Sequence, residues 1–92
     1  MKVYIAGAIS KNENYLEQFD EAEKSILKAG DIPLNPVKHF GFDYKDYIDM
    51  GLCELMRCDA VYMLKGYEES EGALLELKYA QTVGMEIIYQ RS

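Results

Sequence analysis

Ninety-two residues weighing 10.6 kDa, 49% hydrophobic and 28% charged, fit one small domain over residues 1–92 and leave no room for a second. Ten Lys and Arg against sixteen Asp and Glu give a net charge of −6, which disfavours nucleic-acid polymers and anionic lipid surfaces as partners. The longest apolar runs are far short of the roughly 20 residues a membrane span needs, so the sequence predicts a soluble, cytoplasmic protein.

Taken in chain order, Lys2 to Ala6 (KVYIA) is a β-branched and aromatic run closed by Gly7, as expected of a strand buried on both faces. From Asn14 to Ala29 the positions Tyr15, Leu16, Phe19, Ala22, Ile26 and Leu27 recur at helical spacing, and Gly30 stops the helix. Asp31 to Asn35 (DIPLN) reads as an edge strand, because Pro33 cannot donate to a ladder. His39 to Asp43 reads as a loop. Tyr44, Tyr47, Ile48, Leu52, Leu55 and Met56 then form a second helical stripe, interrupted by Gly51. Ala60 to Leu64 (AVYML) is a continuous apolar strand suited to the middle of a parallel sheet. Ser70 caps a third helix that runs to about Val83 and stops at Gly84, and Glu86 to Gln90 (EIIYQ) supplies a fourth strand.

Strands alternating with helices require right-handed crossovers and a parallel sheet. The expected fold is therefore α/β, a small flavodoxin- or Rossmann-like three-layer sandwich with four parallel strands in the order 2-1-3-4. This order puts the Pro33 strand at the edge and the Val3 and Val61 strands in the middle. Ligands of such sheets bind beyond the carboxyl ends of the strands at the switch point, which here means Gly7 to Ser10 and Lys65 to Ser70.

The GAIS segment after the first strand matches neither the dinucleotide fingerprint nor the phosphate loop. Gly7 either admits a ligand to the backbone or only makes a tight turn. On the third helix Glu76 lies three or four residues from Gly72, Ala73, Tyr79 and Ala80, a face of mainly small and apolar side chains that should pack on the sheet. A carboxylate there is costly unless it is hydrogen-bonded or functional; the alternative is that it reaches the helix edge or pairs with Lys78 or Arg91. Ser70 is an N-cap, and the amides of Gly72 and Ala73 beside it suit a phosphate. Tyr4 needs a partner for its hydroxyl, either a neighbouring carboxylate or a backbone carbonyl. Asp59 is expected to fix a turn by accepting backbone hydrogen bonds. His39, the sole histidine, is a loop residue that is solvated or touches a ligand. Cys53 and Cys58, five apart, form no CxxC and read as buried small apolar residues, so no metal and no cofactor are expected.

Three stretches together, KVYIAGAIS, CDAVYMLKGYEESEGALLELKYA and the closing G-x-x-I-I-Y, resemble the nucleoside 2-deoxyribosyltransferase-like superfamily over nearly the whole chain. The similarity is greatest to its short, DUF4406-like branch from phages and bacteria, in which Y-x-[AS]-G, an NP after the second strand (here Asn35 and Pro36) and C-D-A-x-Y-x-L-x-G-[WY]-x-x-S-x-G-A-x-x-E recur. The resemblance implies cleavage of the N-glycosidic bond of a nucleoside or nucleotide, with Glu76 as nucleophile and Tyr4 orienting it. It implies substrate contacts from Gly7, Ala8, Ile9, Ser10, Asn35, Gly66, Tyr67, Ser70, Gly72 and Ala73. Ser70 stands where transferases acting on free nucleosides carry Asp and the related deoxynucleoside monophosphate N-hydrolases carry Ser, which points to a phosphate-bearing substrate.

The family Asp eight residues before Asp59 is Gly51 in this chain, so the side chain that would position the sugar or deliver a proton is missing. Asp49 points about 160° away on a helix turning ~100° per residue. Three readings stay open on these residues: an N-glycosidase or deoxyribosyltransferase-like enzyme, a non-catalytic nucleotide-binding module, and a small structural or interaction module. Tyr44, Tyr47, Met50 and Met56 crowd the second helix with more apolar surface than one sheet face covers, which predicts a homo-oligomer whose partner subunit completes each site.

Overall fold

The computed structural model describes residues 1–10, 12–38, 41 and 43–91, at positions 38 and 44 by backbone alone. The strands are β1 (Lys2–Ala6), β2 (Ile32–Leu34), β3 (Ala60–Met63) and β4 (Glu86–Tyr89), and the helices are α1 (Tyr15–Lys28), α2 (Tyr44–Met56) and α3 (Glu71–Val83). All three strand pairs are parallel and the order is β2-β1-β3-β4, as the sequence pattern predicts. Two short 3₁₀ turns, Pro36–Lys38 and Tyr67–Glu69, are additions that no periodicity signals. The expected loop positions His39 and Phe40 lie outside the described residues.

Alternation along the two central strands builds the layers. Val3 and Ile5 of β1, with Ala60 and Leu64, face α1 and pack against Phe19, Ala22 and Ile26. Tyr4 and Ala6, with Val61 and Met63, face the other way onto Leu55 of α2 and Ala73, Leu77 and Ala80 of α3. Val3 pairs with Pro33 in register, so the proline occupies the outer strand, where its missing N–H leaves no ladder bond broken inside the sheet.

Local chemistry sets the boundaries. Gly84 ends α3 with φ +77°, a left-handed conformation that suits glycine. The Lys2 amide donates to Asp59 Oδ2 at 2.9 Å, tying the start of β1 to the turn before β3, the role expected of that carboxylate. One expectation is corrected: Cys53 is exposed and Cys58 half-buried, because α2 turns Leu55 rather than either thiol into the core, and both cysteines are free.

At the carboxyl end of the sheet a polar network pins two loops to each other. Gln18 donates to the Lys65 carbonyl at 2.9 Å and to Gln90 Oε1 at 3.0 Å, Asn12 donates to Gln18 Oε1 and to the Ala8 carbonyl, and the Lys65 amide donates to Gln90 Oε1. The loops after β1 and β3, which flank the switch point, are thereby held from α1 and the end of β4.

Candidate active site

Beyond the carboxyl end of β1, on the side of α2 and α3, lies a pocket of about 510 Å³, within the size range of small-molecule sites. Its floor is Tyr4 and Glu76. Tyr4 is 2% exposed, projects from the middle of β1 toward α3, and donates its hydroxyl to Glu76 Oε2 at 2.5 Å. Glu76 reaches this position because it shares the sheet-facing side of α3 with Ala73 and Ala80, whose small side chains bring the helix close to the sheet. The alternative partners Lys78 and Arg91 are not used; the carboxylate turns inward to the tyrosine.

Burial pushes the Glu76 carboxyl up from its ordinary 4.5 to about 7, with the charge of nearby Glu54 adding to the rise and the Tyr4 hydrogen bond opposing it. Burial and the adjacent Glu76 charge hold the Tyr4 hydroxyl well above the usual tyrosine range, so it stays a donor. A carboxyl group poised near neutrality in a cleft can act as nucleophile, base or acid.

Of the residues expected at the site, Tyr4, Gly7, Ile9, Ser10, Ser70, Gly72, Ala73 and Glu76 all line this pocket. Ala8, Asn35, Gly66 and Tyr67 do not. Ala8 is buried and offers its carbonyl to Asn12; Asn35 turns its side-chain oxygen back to the Val37 amide. Gly66 makes a left-handed turn at φ +84°, and Tyr67 packs on the core and against the Tyr89 ring. Gly7 borders the pocket, and a Cβ there would come within 2.8 Å of the side chain of Leu64, the residue after β3. His39 lies outside the described residues.

Ser70 caps α3 through Oγ, which accepts from the Ala73 amide at 3.1 Å. The Ala73 amide is therefore engaged, and the open first-turn donors are those of Glu71 and Gly72. Sequence reasoning missed Ile5 and Ala6 of β1, Tyr15 and Phe19 of α1, Pro36 and Val37 after β2, Tyr47 and Ile48 of α2, and the rim residue Glu71, while Gly51 and Glu69, singled out in the sequence for other reasons, also line the pocket. The α2 contributors carried a visible signal, since an apolar stripe next to a glycine marks close helix approach. Among the described lining residues none is basic, and Asp49 is engaged elsewhere, in an exposed ion pair with Lys45. Nor is any group of three His, Cys, Asp or Glu side chains among the described residues placed to hold a metal ion.

A family model described as "Domain of unknown function (DUF4406)" matches residues 1–89. The chain belongs to the DUF4406 family. Two solved structures share the fold of this DUF4406 protein. A 2-deoxyribosyltransferase from the psychrotolerant bacterium Bacillus psychrosaccharolyticus, described as a biocatalyst for nucleoside synthesis, superimposes with a TM-score of 0.77 at 18% identity over 97% of this chain and 71% of its own. A 2-desoxiribosyltransferase from Leishmania mexicana gives 0.75 at 19% identity over 96% of this chain and 62% of its own. Comparison with curated proteins finds no match. The chain thus shares the α/β fold of these two structures and spans 71% and 62% of their lengths. No helix among its described residues is long and apolar enough to cross a membrane.

Proposed function

We propose that this protein cleaves the N-glycosidic bond of a nucleoside monophosphate by covalent catalysis at Glu76, within residues 1–92 acting as one domain. The observation that carries the reading is the Tyr4–Glu76 hydrogen bond at the floor of the pocket, a half-buried carboxyl group oriented by a hydroxyl that stays protonated. In the first step a Glu76 oxygen bonds to the anomeric carbon as the carbon–nitrogen bond breaks, and the electron pair leaves with the base nitrogen, which takes a proton from water. Water or an acceptor base then attacks the same carbon, gives up its proton to the hydroxide left by the first step, and frees the carboxylate. Tyr4 steadies the glutamate through both steps, while Gly7, Ile9 and Ser10 border the sugar and base.

The phosphate belongs at Ser70 and the N-terminus of α3, where open amides and the helix dipole, about half a unit charge, favour an anion. With Glu69 and Glu71 on the same rim, recognition rests on these neutral donors. Incubation with deoxynucleoside and ribonucleoside monophosphates and the parent nucleosides, followed by chromatography of released base, tests the reading. Base release from the monophosphates, abolished by Glu76→Ala, supports it; no release from any substrate refutes it.

A second reading is favoured by Gly51, which supplies no carboxylate beside Glu76: a nucleotide-binding module without turnover. A binder is stabilised by intact nucleotide in thermal melts and generates no product. In either case we propose a homo-oligomer. Met56 is 63% exposed, and Leu74 and Leu75 of the adjacent α3 are exposed too, whereas Met50 is half-buried and Tyr47 turns to the pocket; the Tyr44 side chain lies outside the described residues. Light scattering showing a strict monomer at micromolar concentration refutes the assembly.

A further inference from the structure

Gly51 lies mid-helix in α2, where glycine costs stability that alanine would restore. A Cβ built on it would sit 2.6 Å from Glu76 Oε2 and 2.8 Å from the Tyr4 hydroxyl, with Glu76 Cδ next at 3.7 Å. Carbon and oxygen atoms do not approach so closely without a bond between them. The two atoms met are the two that share the hydrogen bond, so a side chain at 51 requires that pair to move from its present position. The second carboxylate oxygen, Oε1, has no hydrogen-bond partner among the described residues and is not sealed from the pocket.

We propose that Gly51 is a positioning residue for the Tyr4–Glu76 pair: its bare Cα lets the α2 backbone close against Oε2, confining that oxygen to Tyr4 and turning Oε1 toward the ligand. That Oε1 is the attacking atom rests on the glycosidic reading above; the confinement of Oε2 does not. The Asp that the superfamily resemblance places here cannot coexist with this pair geometry, because its Cβ alone would displace Oε2 or the hydroxyl. Glycine is therefore fitted to this arrangement of the pair and is more than the loss of a carboxylate.

The test is a double-mutant cycle of Gly51→Ala and Tyr4→Phe, read by thermal melting, with kinetics alongside. In the wild-type background Gly51→Ala lowers Tm by about 5 °C or more, because the carboxylate is pushed off and the buried hydroxyl loses its acceptor. In the Tyr4→Phe background the hydroxyl is gone and the carboxylate is free to swing, so the ordinary helix gain returns as a rise of a few degrees. Should Gly51→Ala alone fail to fold, recovery of folding on adding Tyr4→Phe is the same coupling. Equal shifts in both backgrounds, of either sign, or failure to fold in both, overturn the proposal.

Kinetically, Gly51→Ala lowers kcat about tenfold or more and leaves KM within about twofold, since the ligand's own contacts are untouched; an unchanged kcat also overturns it. If the wild-type protein releases no base, the glycosidic reading fails and the melting cycle still decides the role of Gly51.

Discussion

Glu76→Gln separates a functional carboxyl from a structural one without any substrate. The substitution keeps the side-chain shape and an oxygen to accept from Tyr4, and removes only the charge. Holding this carboxyl at about 7 instead of 4.5 costs the folded protein about 3 kcal/mol once the group is ionised at pH 8. The folded state binds the proton more tightly than the unfolded chain does. The contribution therefore favours folding fully below about pH 4.5 and is lost as pH rises through about 7. Melts of the wild-type protein and the variant at pH 4 to 8 should nearly coincide at the acid end and separate progressively between about pH 4.5 and 7. The variant becomes the more stable by about 3 kcal/mol at pH 8, more than 10 °C in a domain of this size. Because the two differ at one group, the self-repulsion of the net charge cancels in the comparison. A variant that is less stable at pH 8, or a gap that does not depend on pH, refutes the argument that Glu76 is held ionised against its surroundings.

Tyr4→Phe removes the one hydrogen bond that lowers the Glu76 pKa, so the acid limb of the rate profile, near 7 in the wild-type protein, should move to higher pH; kcat/KM against pH measures it. Ser70→Ala removes the α3 cap and should cost about 1 kcal/mol of stability in denaturant titration. The same variant should weaken binding of a nucleoside monophosphate more than binding of the parent nucleoside, which calorimetry compares.

The architecture was legible because each element carried its own signal. Continuous apolar runs could be read in KVYIA and AVYML, helical spacing in the Tyr15 to Leu27 stripe, and termination at Gly30 and Gly84. Pro33 even identified the edge strand. Glu76 was legible as an anomaly, a carboxylate on a face of small and apolar residues. Its partner was harder, since Tyr4 and Glu76 stand 72 residues apart and meet only through the packing of α3 on β1. The Gln18–Gln90–Lys65 network was invisible for the same reason: amide side chains carry no periodic signature, and their partners are set by tertiary contact. Asn35, Gly66 and Tyr67 followed from motif proximity alone, and proximity along the chain does not decide which way a loop side chain turns.

Gly51 gains its meaning from the fold around it. In sequence it is a weak point in a helix and a missing acid; in space it is the residue whose bare Cα faces both atoms of the Tyr4–Glu76 hydrogen bond, which joins α3 to β1. Elsewhere in this chain local preference and tertiary packing agree, with left-handed glycine at a helix end, proline on an edge strand and serine at a cap. At the Tyr4–Glu76–Gly51 contact they disagree three times over. A carboxyl is half-buried at the expense of its charge, a tyrosine hydroxyl is aimed at a carboxylate rather than at solvent, and a glycine sits where alanine would make the better helix. Packing alone gives no reason to keep these together, since apolar residues at the three positions would fill the same space with less penalty. Three costs converging on one carboxylate at the sheet's switch point are what a site selected for chemistry or ligand binding requires.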